Sequence, residues 1–500
     1  MPLLNSGIIF LAALTVCLAV FPDDAQVIIN VVAIPFLLCS LLGILNLEFA
    51  LISVLALPLY NSSNAIHLMS NFLGNSGFSW FVHATGYARW IPLLILGGRA
   101  LYDGVFRKGG FHIRKPDIVA ACFLATAGLS VFYSLAPELT AQRTIAIGLG
   151  YVGVFWALWD YVDTPRKAER LVEIILFVGL TIFVVGLAKD LAEGAVPFVD
   201  LFSGIERSRD FNGFYAPLLS PLAVWVFMRR SRIIGGIALA ILIASLLLSG
   251  YRTGIIMLAL PIAYLVVRRW QELWWTAIPM GLTAAFAVIA IASCEGNYLF
   301  SLPEDFVEAD WITVIDGDGK PMQYGVEIMA TVGDRKLVLT TCSQRYTTFG
   351  LRNITTMSGR TEGLQIGYQL LRDRYLLGYG FGTENLIMPA RAVYPTLMAG
   401  VYFHNSFLGL ALQLGLFGAL IFFGPLFYLL VKQLVSHRGR STPLLIHALE
   451  AVLISGLFGC LFQSWIYALG NGIALPFWVI VMLIIRHNHY VATDSRVNLT

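Results

Sequence analysis

Apolar runs of membrane-spanning length recur along the whole of this 500-residue chain, and they limit its fold more than any other feature. An α-helix needs about 20 mainly apolar residues to cross the hydrocarbon core of a bilayer. Charged residues make up only 13% of the chain and hydrophobic residues 58%, whereas soluble domains carry roughly twice that charged fraction. The sequence therefore predicts an all-α polytopic membrane protein in contact with membrane lipids. Its small net charge of +3 gives no reason to expect nucleic acid as a partner.

The apolar runs indicate about 12–14 transmembrane helices. The segment at 1–21 lacks a basic stretch and a small-residue cleavage site, so we interpret it as the first membrane helix and not as a signal peptide. The candidate helices lie near residues 7–21, 27–43, 46–60, 88–103, 117–135, 144–163, 170–188, 213–228, 233–249, 252–268, 273–293, 404–431, 444–465 and 471–486.

Lysines and arginines cluster on alternate connections between these helices, and cytoplasmic loops are where such residues concentrate in membrane proteins. The clusters lie within 99–115, 164–170, 229–232, 268–269 and 432–440. A single orientation satisfies all of them and predicts that both termini are cytoplasmic. In a bacterial inner membrane, the remaining connections then face the periplasm.

The longest connection has two parts of different character. Residues 311–341 alternate β-branched and aromatic runs with glycine-containing turns, which predicts a small β-meander, and residues 358–378 have helical periodicity. Cys294 and Cys342 bracket the meander, so a disulfide could join them. The predicted organisation is an N-terminal transmembrane bundle at 1–293, a large periplasmic loop with the meander and short helices at 294–403, C-terminal transmembrane helices at 404–486 and a cytoplasmic tail at 487–500.

His404 and Asn405 open the apolar run that follows this loop. A polar pair at a helix start can be a simple cap, because asparagine is a favoured N-cap residue. The alternative is that a histidine in the first helical turn is a general base. The positive end of the helix dipole disfavours the imidazolium ion, which leaves a ring nitrogen free to accept a proton.

Arginines occur at the same predicted membrane face. Arg252 lies in the SGYRTG turn between two apolar runs, and Arg360 lies in the long loop ahead of the glycine-rich stretch GYGFGTEN. Arg207 and Arg209 precede Asn212 at the entrance of another helix. Each arginine could be a snorkelling or solvated side chain, or part of a clamp for a phosphate group. The glycines could be ordinary turn residues, or they could allow an unusual backbone close to a ligand.

The order of these motifs resembles that of the O-antigen ligase and polymerase superfamily of bacterial envelope glycosyltransferases. The resemblance covers about residues 200–430: Arg-x-Arg-x-x-Asn before one helix, Ser-x-x-Arg-Thr-Gly between two later helices, and a loop in which Gly-Arg and LLGYGFG lead into HNSFLGLALQLGLFGAL. It implies a GT-C-like membrane fold. This chain departs from the pattern at Gln413, where an acid is common, and in lacking a tryptophan shortly after Arg360. The predicted β-meander is a further departure from the pattern. It would overhang the site and could select the acceptor.

The resemblance implies a metal-independent, inverting glycosyl transfer at the periplasmic face, with no cofactor. The donor would be a glycan on undecaprenyl diphosphate. The acceptor would be lipid A-core in a ligase or another lipid-linked repeat in a polymerase, and a protein O-oligosaccharyltransferase is a further member of the same class. His404 would deprotonate the acceptor hydroxyl. The residues that would bind the diphosphate or the glycan are Arg207, Arg209, Asn212, Arg252, Arg360 and Asn405.

Two other classes of function remain open. A polysaccharide or small-solute transporter or flippase would line its path with the arginines and would carry ionisable residues in the middle of spans. Glu48 and Glu450 instead lie near the ends of predicted helices. A structural scaffold in an export complex would not require the side chains of His404 and the arginines, so their substitution would be harmless.

Overall fold

The computed structural model describes residues 39–56, 91–107, 113–192, 209–273, 314–315, 328–332, 335–339, 360–391, 403–436, 442–468 and 472–497, and the structural statements below concern these residues. Arg207, Cys294 and Cys342 lie outside them. The possible disulfide therefore stays a prediction.

Helices dominate the described chain. They are α1 (Leu47–Leu55), α2 (Ile91–Tyr102, followed by a π-helical turn at Asp103–Arg107), α3 (Lys115–Leu129, followed by a 3-10 turn at Ser130–Tyr133), α4 (Pro137–Val152, continued by a π-helical turn at Gly153–Leu158 and by Trp159–Tyr161), α5 (Pro165–Ala192), α6 (Arg209–Arg229), α7 (Arg232–Ser249), α8 (Arg252–Arg268), α9 (Trp270–Leu273), α10 (Arg360–Asp373), α11 (Glu384–Arg391), α12 (Ser406–Ser436), α13 (Leu444–Gly459) and α14 (Ala474–Val497).

Six helices of the described chain are long and apolar enough to cross a membrane. They are Lys115–Tyr133, Pro137–Tyr161, Pro165–Leu191, Phe211–Arg229, Arg232–Ser249 and Ser406–Val435. Two shorter apolar helices accompany them, at Thr253–Arg268 and Leu444–Gly459. This confirms the predicted class, an all-α polytopic membrane protein. The total of about 12–14 spans includes segments outside the described residues and remains a prediction.

Three short strands lie within the long connection. They are β1 (Val314–Ile315), β2 (Ile328–Val332) and β3 (Arg335–Leu339), and they pair antiparallel in the order β1-β2-β3. Val314 lies opposite Ala330, and Met329 lies opposite Val338. The residues that would connect this sheet to the helices are outside the described part of the chain. An overhang above the site and a role in acceptor selection therefore remain predictions.

α6 lies at the centre of the helical bundle, in contact with α7, α8 and α13. Its Phe214 and Trp225 side chains are no more than 2% exposed. Close packing at its start requires two glycines, because a Cβ on Gly213 would lie 2.0 Å from the Cβ of Tyr251, and a Cβ on Gly254 would lie 2.1 Å from the Gly213 carbonyl oxygen. The starts of α6 and α8 can therefore come together.

Basic connections meet at the opposite end of the bundle. Arg230 forms an ion pair with Glu169 at 2.5 Å, and Arg229 forms one with Glu272 at 3.2 Å. These pairs join segments that the charge pattern assigns to one side of the membrane, so those segments do share one end of the protein. The assignment of that end to the cytoplasm remains a prediction.

Several helix boundaries differ from the predicted ones. α4 begins at Pro137 and not near 144, because a proline is well suited to the first position of a helix. α6 begins at Arg209 and not at 213, and α14 continues past 486 to Val497. α13 ends at Gly459 and not near 465. Its shorter span places Glu450 in the middle of the helix, so the prediction that this acid lies near a helix end is wrong.

Candidate functional site

α12 is interrupted at Gly415. This residue has φ 70° and ψ 177°, a backbone conformation that is essentially restricted to glycine. The break leaves backbone groups without helical partners, and the glycine-rich segment and the turn just before it supply them. The Tyr379 N–H donates to the Leu412 carbonyl at 2.8 Å, and the Leu416 N–H donates to the Tyr375 carbonyl at 2.8 Å. Non-helical backbone inside a membrane protein has to be satisfied by protein groups in this way.

The glycine-rich segment is also held against the side chains of α4 and α12. The Gly380 N–H donates to the Gln413 carbonyl at 2.8 Å, and the Gly382 N–H donates to Gln413 Oε1 at 2.6 Å. Arg143 Nη1 donates to the Gly382 carbonyl at 2.5 Å. Both glycines have positive φ, 108° and 80°, which agrees with the unusual backbone that is one of the two alternatives for this stretch. The groups that this backbone approaches are those of neighbouring helices. Arg143, predicted in a connection, lies within α4 and fixes the segment.

His404 lies immediately before α12, which begins at Ser406. The prediction that it occupies the first helical turn is therefore wrong. Asn405 caps the helix, because its Oδ1 accepts from the Leu408 N–H at 3.0 Å. His404 has φ 50°, an uncommon value for a residue other than glycine, and such strain persists only where the surroundings fix it. Nδ1 of His404 lies 2.7 Å from Oε1 of Gln463.

The contact with Gln463 sets the tautomer of the His404 ring. An amide oxygen can only accept a hydrogen bond, so Nδ1 is the donor in this contact, and Nε2 is the nitrogen that carries the lone pair in the neutral ring. The His404 side chain is half-buried, and within the described residues its single hydrogen bond is the one at Nδ1. One nitrogen thus holds the ring, and the other can accept a proton from a bound molecule.

The segment after α13 forms a turn against the start of α12. The Ser406 N–H donates to the Cys460 carbonyl at 2.7 Å, and Ser406 Oγ donates to the Gln463 carbonyl at 2.6 Å. Asn405 Nδ2 donates to the Leu461 carbonyl at 3.2 Å. α13 ends early because this turn bonds to α12 in place of continuing the helix. Both polar groups of Asn405 are used inside the protein, as in a cap, and its role in substrate binding stays a prediction.

Glu384 is a buried carboxylate beside this turn, with an exposed fraction of 2%. Ser464 Oγ donates to its Oε1 at 2.6 Å, and the Tyr467 hydroxyl donates to its Oε2 at 2.7 Å. The Phe403 N–H donates to Oε1 at 3.2 Å, and Gln413 Nε2 donates to Oε2 at 3.3 Å. Burial raises the pKa of Glu384, and the hydrogen bonds that it accepts oppose this effect.

The arginine motifs meet at the starts of α6 and α8. Arg209 and Arg252 are the first residues of these helices, and helix N-termini favour bound anions through their free N–H groups and dipole. Asn212 is 7% exposed and lies within α6, not ahead of it. For Arg209 and Arg252 only the backbone is described, so their roles as clamps remain predictions.

The arginine motifs and the histidine lie at the same end of the bundle. Phe214 of α6 packs edge-on against Trp465, with ring centroids 5.1 Å apart. Trp465 belongs to the turn that contains Gln463, the partner of His404. The structure therefore brings together the SGYRTG turn, the start of α6 at residues 209–213 and the His404-Asn405 pair, although these segments are far apart in the chain.

Arg360 begins α10, which packs on the start of α12. A Cβ on Gly367 would lie 2.6 Å from Leu408 Cδ2 and 3.1 Å from the ring of Phe403. At 1.5 Å per helical residue, the backbone of Arg360 lies roughly 10 Å along the axis from that contact. Its side chain is outside the described set, so its role also stays a prediction.

Sequence reasoning missed Gln463 and Glu384 as members of this site. Gln463 lies in an apolar run that predicts helix. Glu384 lies in the glycine-rich stretch, where the glycines are the more distinctive residues. The signal that could have found both is a polar side chain in an otherwise apolar stretch at the predicted periplasmic face. In the part of the chain that the structure describes, no group of three or more His, Cys, Asp or Glu side chains could hold a metal ion.

Residues 237–423 match the family model described as O-antigen ligase. The match runs from α7 into α12 and includes SGYRTG, Arg360, the glycine-rich segment and His404. It confirms the resemblance to the O-antigen ligase superfamily that the motifs indicate. The family implies a membrane glycosyltransferase of the ligase or polymerase type, with a lipid-linked glycan as donor and a glycan as acceptor. No curated protein matches the chain.

Proposed function

We propose that this protein transfers a glycan from undecaprenyl diphosphate to an acceptor hydroxyl at the periplasmic face of a bacterial inner membrane. The observation that carries the proposal is the setting of His404. Its backbone is strained, Gln463 holds its Nδ1, and its Nε2 is available. It lies at the end of the bundle where α6 and α8 begin with arginines. The O-antigen ligase match over residues 237–423 supports the same assignment.

In this proposal, His404 is the general base. Its Nε2 accepts the proton of the acceptor hydroxyl while the hydroxyl oxygen attacks the anomeric carbon of the donor glycan. The new bond forms as the bond between the anomeric carbon and the diphosphate breaks, and undecaprenyl diphosphate leaves with the electron pair. Attack from the side opposite to the leaving group inverts the configuration. A positioned general base contributes a factor of about 10²–10⁴ to such a step.

Fixed positive charge holds the diphosphate and stabilises it as it leaves. We assign this role to the starts of α6 and α8 and to guanidinium groups, which bind phosphate oxygens in a bidentate manner. Donors that are preorganised where charge develops contribute strongly to catalysis. The leaving group already is a diphosphate, so the reaction needs neither a metal ion nor a cofactor. The residues assigned to the clamp are Arg207, Arg209, Arg252 and Arg360, with Asn212 and Asn405 beside them.

The proposal leaves three acceptors, which the products distinguish. A ligase joins the glycan to lipid A-core, a polymerase joins it to another lipid-linked repeat, and a protein O-oligosaccharyltransferase joins it to a hydroxyl side chain. Loss of a ligase leaves long chains that are not attached to core. Loss of a polymerase leaves single repeats only, and loss of the protein-modifying activity leaves surface polysaccharide intact.

The test is complementation of a deletion strain with His404→Ala, with His489→Ala as a matched control at the other end of the molecule. Surface glycan is measured on a gel, and the amount of each variant in the membrane is measured by immunoblot. We expect His404→Ala to be present at normal amounts, to lack the glycan and to accumulate the lipid-linked precursor. Unchanged surface glycan together with unchanged protein glycosylation in this variant would overturn the general-base mechanism.

One observation favours a second candidate, a polysaccharide or small-solute transporter. His447 and Glu450 form a pair within α13 at 2.9 Å, with exposed fractions of 1% and 0%, and the Tyr264 hydroxyl donates to Glu450. Ionisable residues inside a membrane helix often mark a substrate or proton path. A transporter would tolerate His404→Ala and would lose function in Glu450→Gln, which is the opposite of the pattern expected for the glycosyltransferase.

A further inference from the structure

The carboxylate of Glu384 joins three segments that are distant in the sequence. Its four hydrogen-bond donors come from the residue before His404, from the interrupted part of α12 and from the turn after α13. They are the Phe403 N–H, Gln413 Nε2, Ser464 Oγ and the Tyr467 hydroxyl, at 2.6–3.3 Å.

Two of these donors are next in the chain to His404 and Gln463, the two residues joined by the hydrogen bond at Nδ1. Phe403 precedes His404, and Ser464 follows Gln463. Oε1 of Glu384 accepts from both Phe403 and Ser464, at 3.2 and 2.6 Å. A single oxygen atom therefore fixes the distance between the backbone that carries the histidine and the turn that carries its partner.

We propose that Glu384 is a positioning residue, which holds His404 and Gln463 in the geometry needed for proton transfer. This inference rests on the proposed function. Glu384 acts through the backbone on both sides of the His404–Gln463 hydrogen bond, and it also holds Gln413 beside the break in α12. A misplacement of about 1 Å at a reacting group can cost a factor of about 10² in rate.

The four hydrogen-bond donors around Glu384 fit an ionised carboxylate. Each oxygen of Glu384 accepts two hydrogen bonds, and all four partners approach as donors. Arg143 supplies positive charge that favours the ionised form, while its Nη1 is fixed on the Gly382 carbonyl. A buried charge is retained only where it is paired and fully hydrogen-bonded. A glutamine would offer one acceptor oxygen and an NH2 group that faces donors, so it cannot replace the carboxylate.

The variants for the test are Glu384→Gln and Glu384→Asp, with Glu450→Gln as the matched control. Glu450 is also a buried acid, 0% exposed, and it accepts from Tyr264 in α8, away from His404. Each purified variant is mixed with lipid-linked glycan extracted from membranes of a deletion strain and with a fixed amount of acceptor extract. The initial rate is measured as the donor concentration is varied.

We expect Glu384→Gln to lower the maximal rate about 10- to 100-fold and to leave the donor concentration for half-maximal rate unchanged, because the proposed clamp lies elsewhere. Glu384→Asp keeps the charge on a shorter side chain, so it should recover part of the rate. Glu450→Gln should keep the wild-type rate. A wild-type maximal rate in Glu384→Gln would overturn the inference, as would an equal loss in Glu384→Gln, Glu384→Asp and Glu450→Gln.

A second measurement does not depend on transfer. Diethyl pyrocarbonate modifies neutral imidazole, and mass spectrometry locates the modified histidine, with the buried His447 as an internal reference. We expect the rate of modification at His404 to change at least threefold in Glu384→Gln and in Gln463→Leu. An unchanged rate would overturn the positioning role. Absence of transfer by the wild-type protein, together with a changed modification rate, would instead count against the proposed function alone.

Discussion

Replacing Gly415 with alanine should disrupt the candidate site, because the added Cβ would overlap backbone atoms of a neighbouring segment. A Cβ at this position would lie 1.9 Å from the carbonyl oxygen of Leu376 and 2.2 Å from its carbonyl carbon. Both are backbone atoms, so no change of rotamer can relieve the overlap. The φ and ψ of 70° and 177° lie in a region that costs other residues about 1–3 kcal/mol.

The cost extends beyond local strain because the glycine-rich segment must move away from the break in α12. Three backbone hydrogen bonds cross this contact, from Tyr379 to Leu412, from Gly380 to Gln413 and from Leu416 to Tyr375. Each contributes about 1 kcal/mol net, and more when a buried group is left without a partner. Together with the strain, we expect a loss of about 4–6 kcal/mol in the free energy of unfolding.

Gly424→Ala is the matched control in the same helix. The nearest atom to a Cβ there is Leu420 Cδ1 at 3.7 Å, which is ordinary van der Waals contact, and alanine favours a helix interior over glycine by about 1 kcal/mol. In thermal unfolding of the detergent-solubilised proteins, Gly415→Ala should melt clearly below the wild type, and Gly424→Ala at or above it. In the deletion strain, only Gly415→Ala should lose surface glycan. Equal melting temperatures and equal surface glycan in the two variants would show that the overlap at Gly415 does not destabilise the site.

Four further predictions follow from the site. Gln463→Leu should lower the transfer rate about 10- to 100-fold because Nδ1 of His404 loses the group that sets its tautomer, and Gln463→Glu, which still accepts, should retain more of the rate. Arg252→Ala should raise the donor concentration for half-maximal rate, with only partial recovery in Arg252→Lys because lysine cannot bind phosphate in a bidentate manner; an unchanged donor dependence would remove Arg252 from the clamp. EDTA should leave transfer by the purified protein unchanged, and a loss that added Mg²⁺ restores would contradict the metal-independent mechanism. Burial raises the pKa of Glu384 above its ordinary value of 4.5, so the folded protein holds a proton there more tightly than the unfolded chain does. The stability from this group is complete below the unfolded pKa and is lost as the pH rises through the folded pKa. The melting temperature of the wild type should therefore fall more steeply across that window than that of Glu384→Gln. Parallel curves of melting temperature against pH would contradict burial as the cause of the raised pKa of Glu384.

The bounds of a helix could be predicted from the sequence where its apolar run is followed by charged residues or by a tight turn. α7 and α8 occupy Arg232–Ser249 and Arg252–Arg268, and the predicted bounds are 233–249 and 252–268. Here the determinants are local, because Gly250 has a positive φ of 62° and terminates one helix just before the next begins. Sequence alone contains this information.

Other boundaries depend on contacts between distant segments. The stretch after Gly459 remains apolar enough to continue a helix, yet it turns because Ser406 Oγ donates to the Gln463 carbonyl and the Ser406 N–H donates to the Cys460 carbonyl. Arg143 can lie inside α4 because its guanidinium donates a hydrogen bond to the Gly382 carbonyl. Hydropathy cannot anticipate either contact.

The candidate site could be predicted in part for the same reason. His404 and the arginines stand out because polar residues are rare in this sequence. The break at Gly415 and the role of Glu384 arise from partners in other segments, so they appear only in three dimensions. The partner that fixes the His404 ring, Gln463, lies in a different part of the chain, 2.7 Å away in space.

The most direct test of the central claim is transfer by purified protein, with wild type and His404→Ala compared at saturating lipid-linked donor. We expect a rate at least about 100-fold lower for the variant. The variant should still be folded, because loss of the hydrogen bond between His404 Nδ1 and Gln463 costs only about 1 kcal/mol. A variant that transfers glycan at the wild-type rate would contradict the assignment of His404 as the general base.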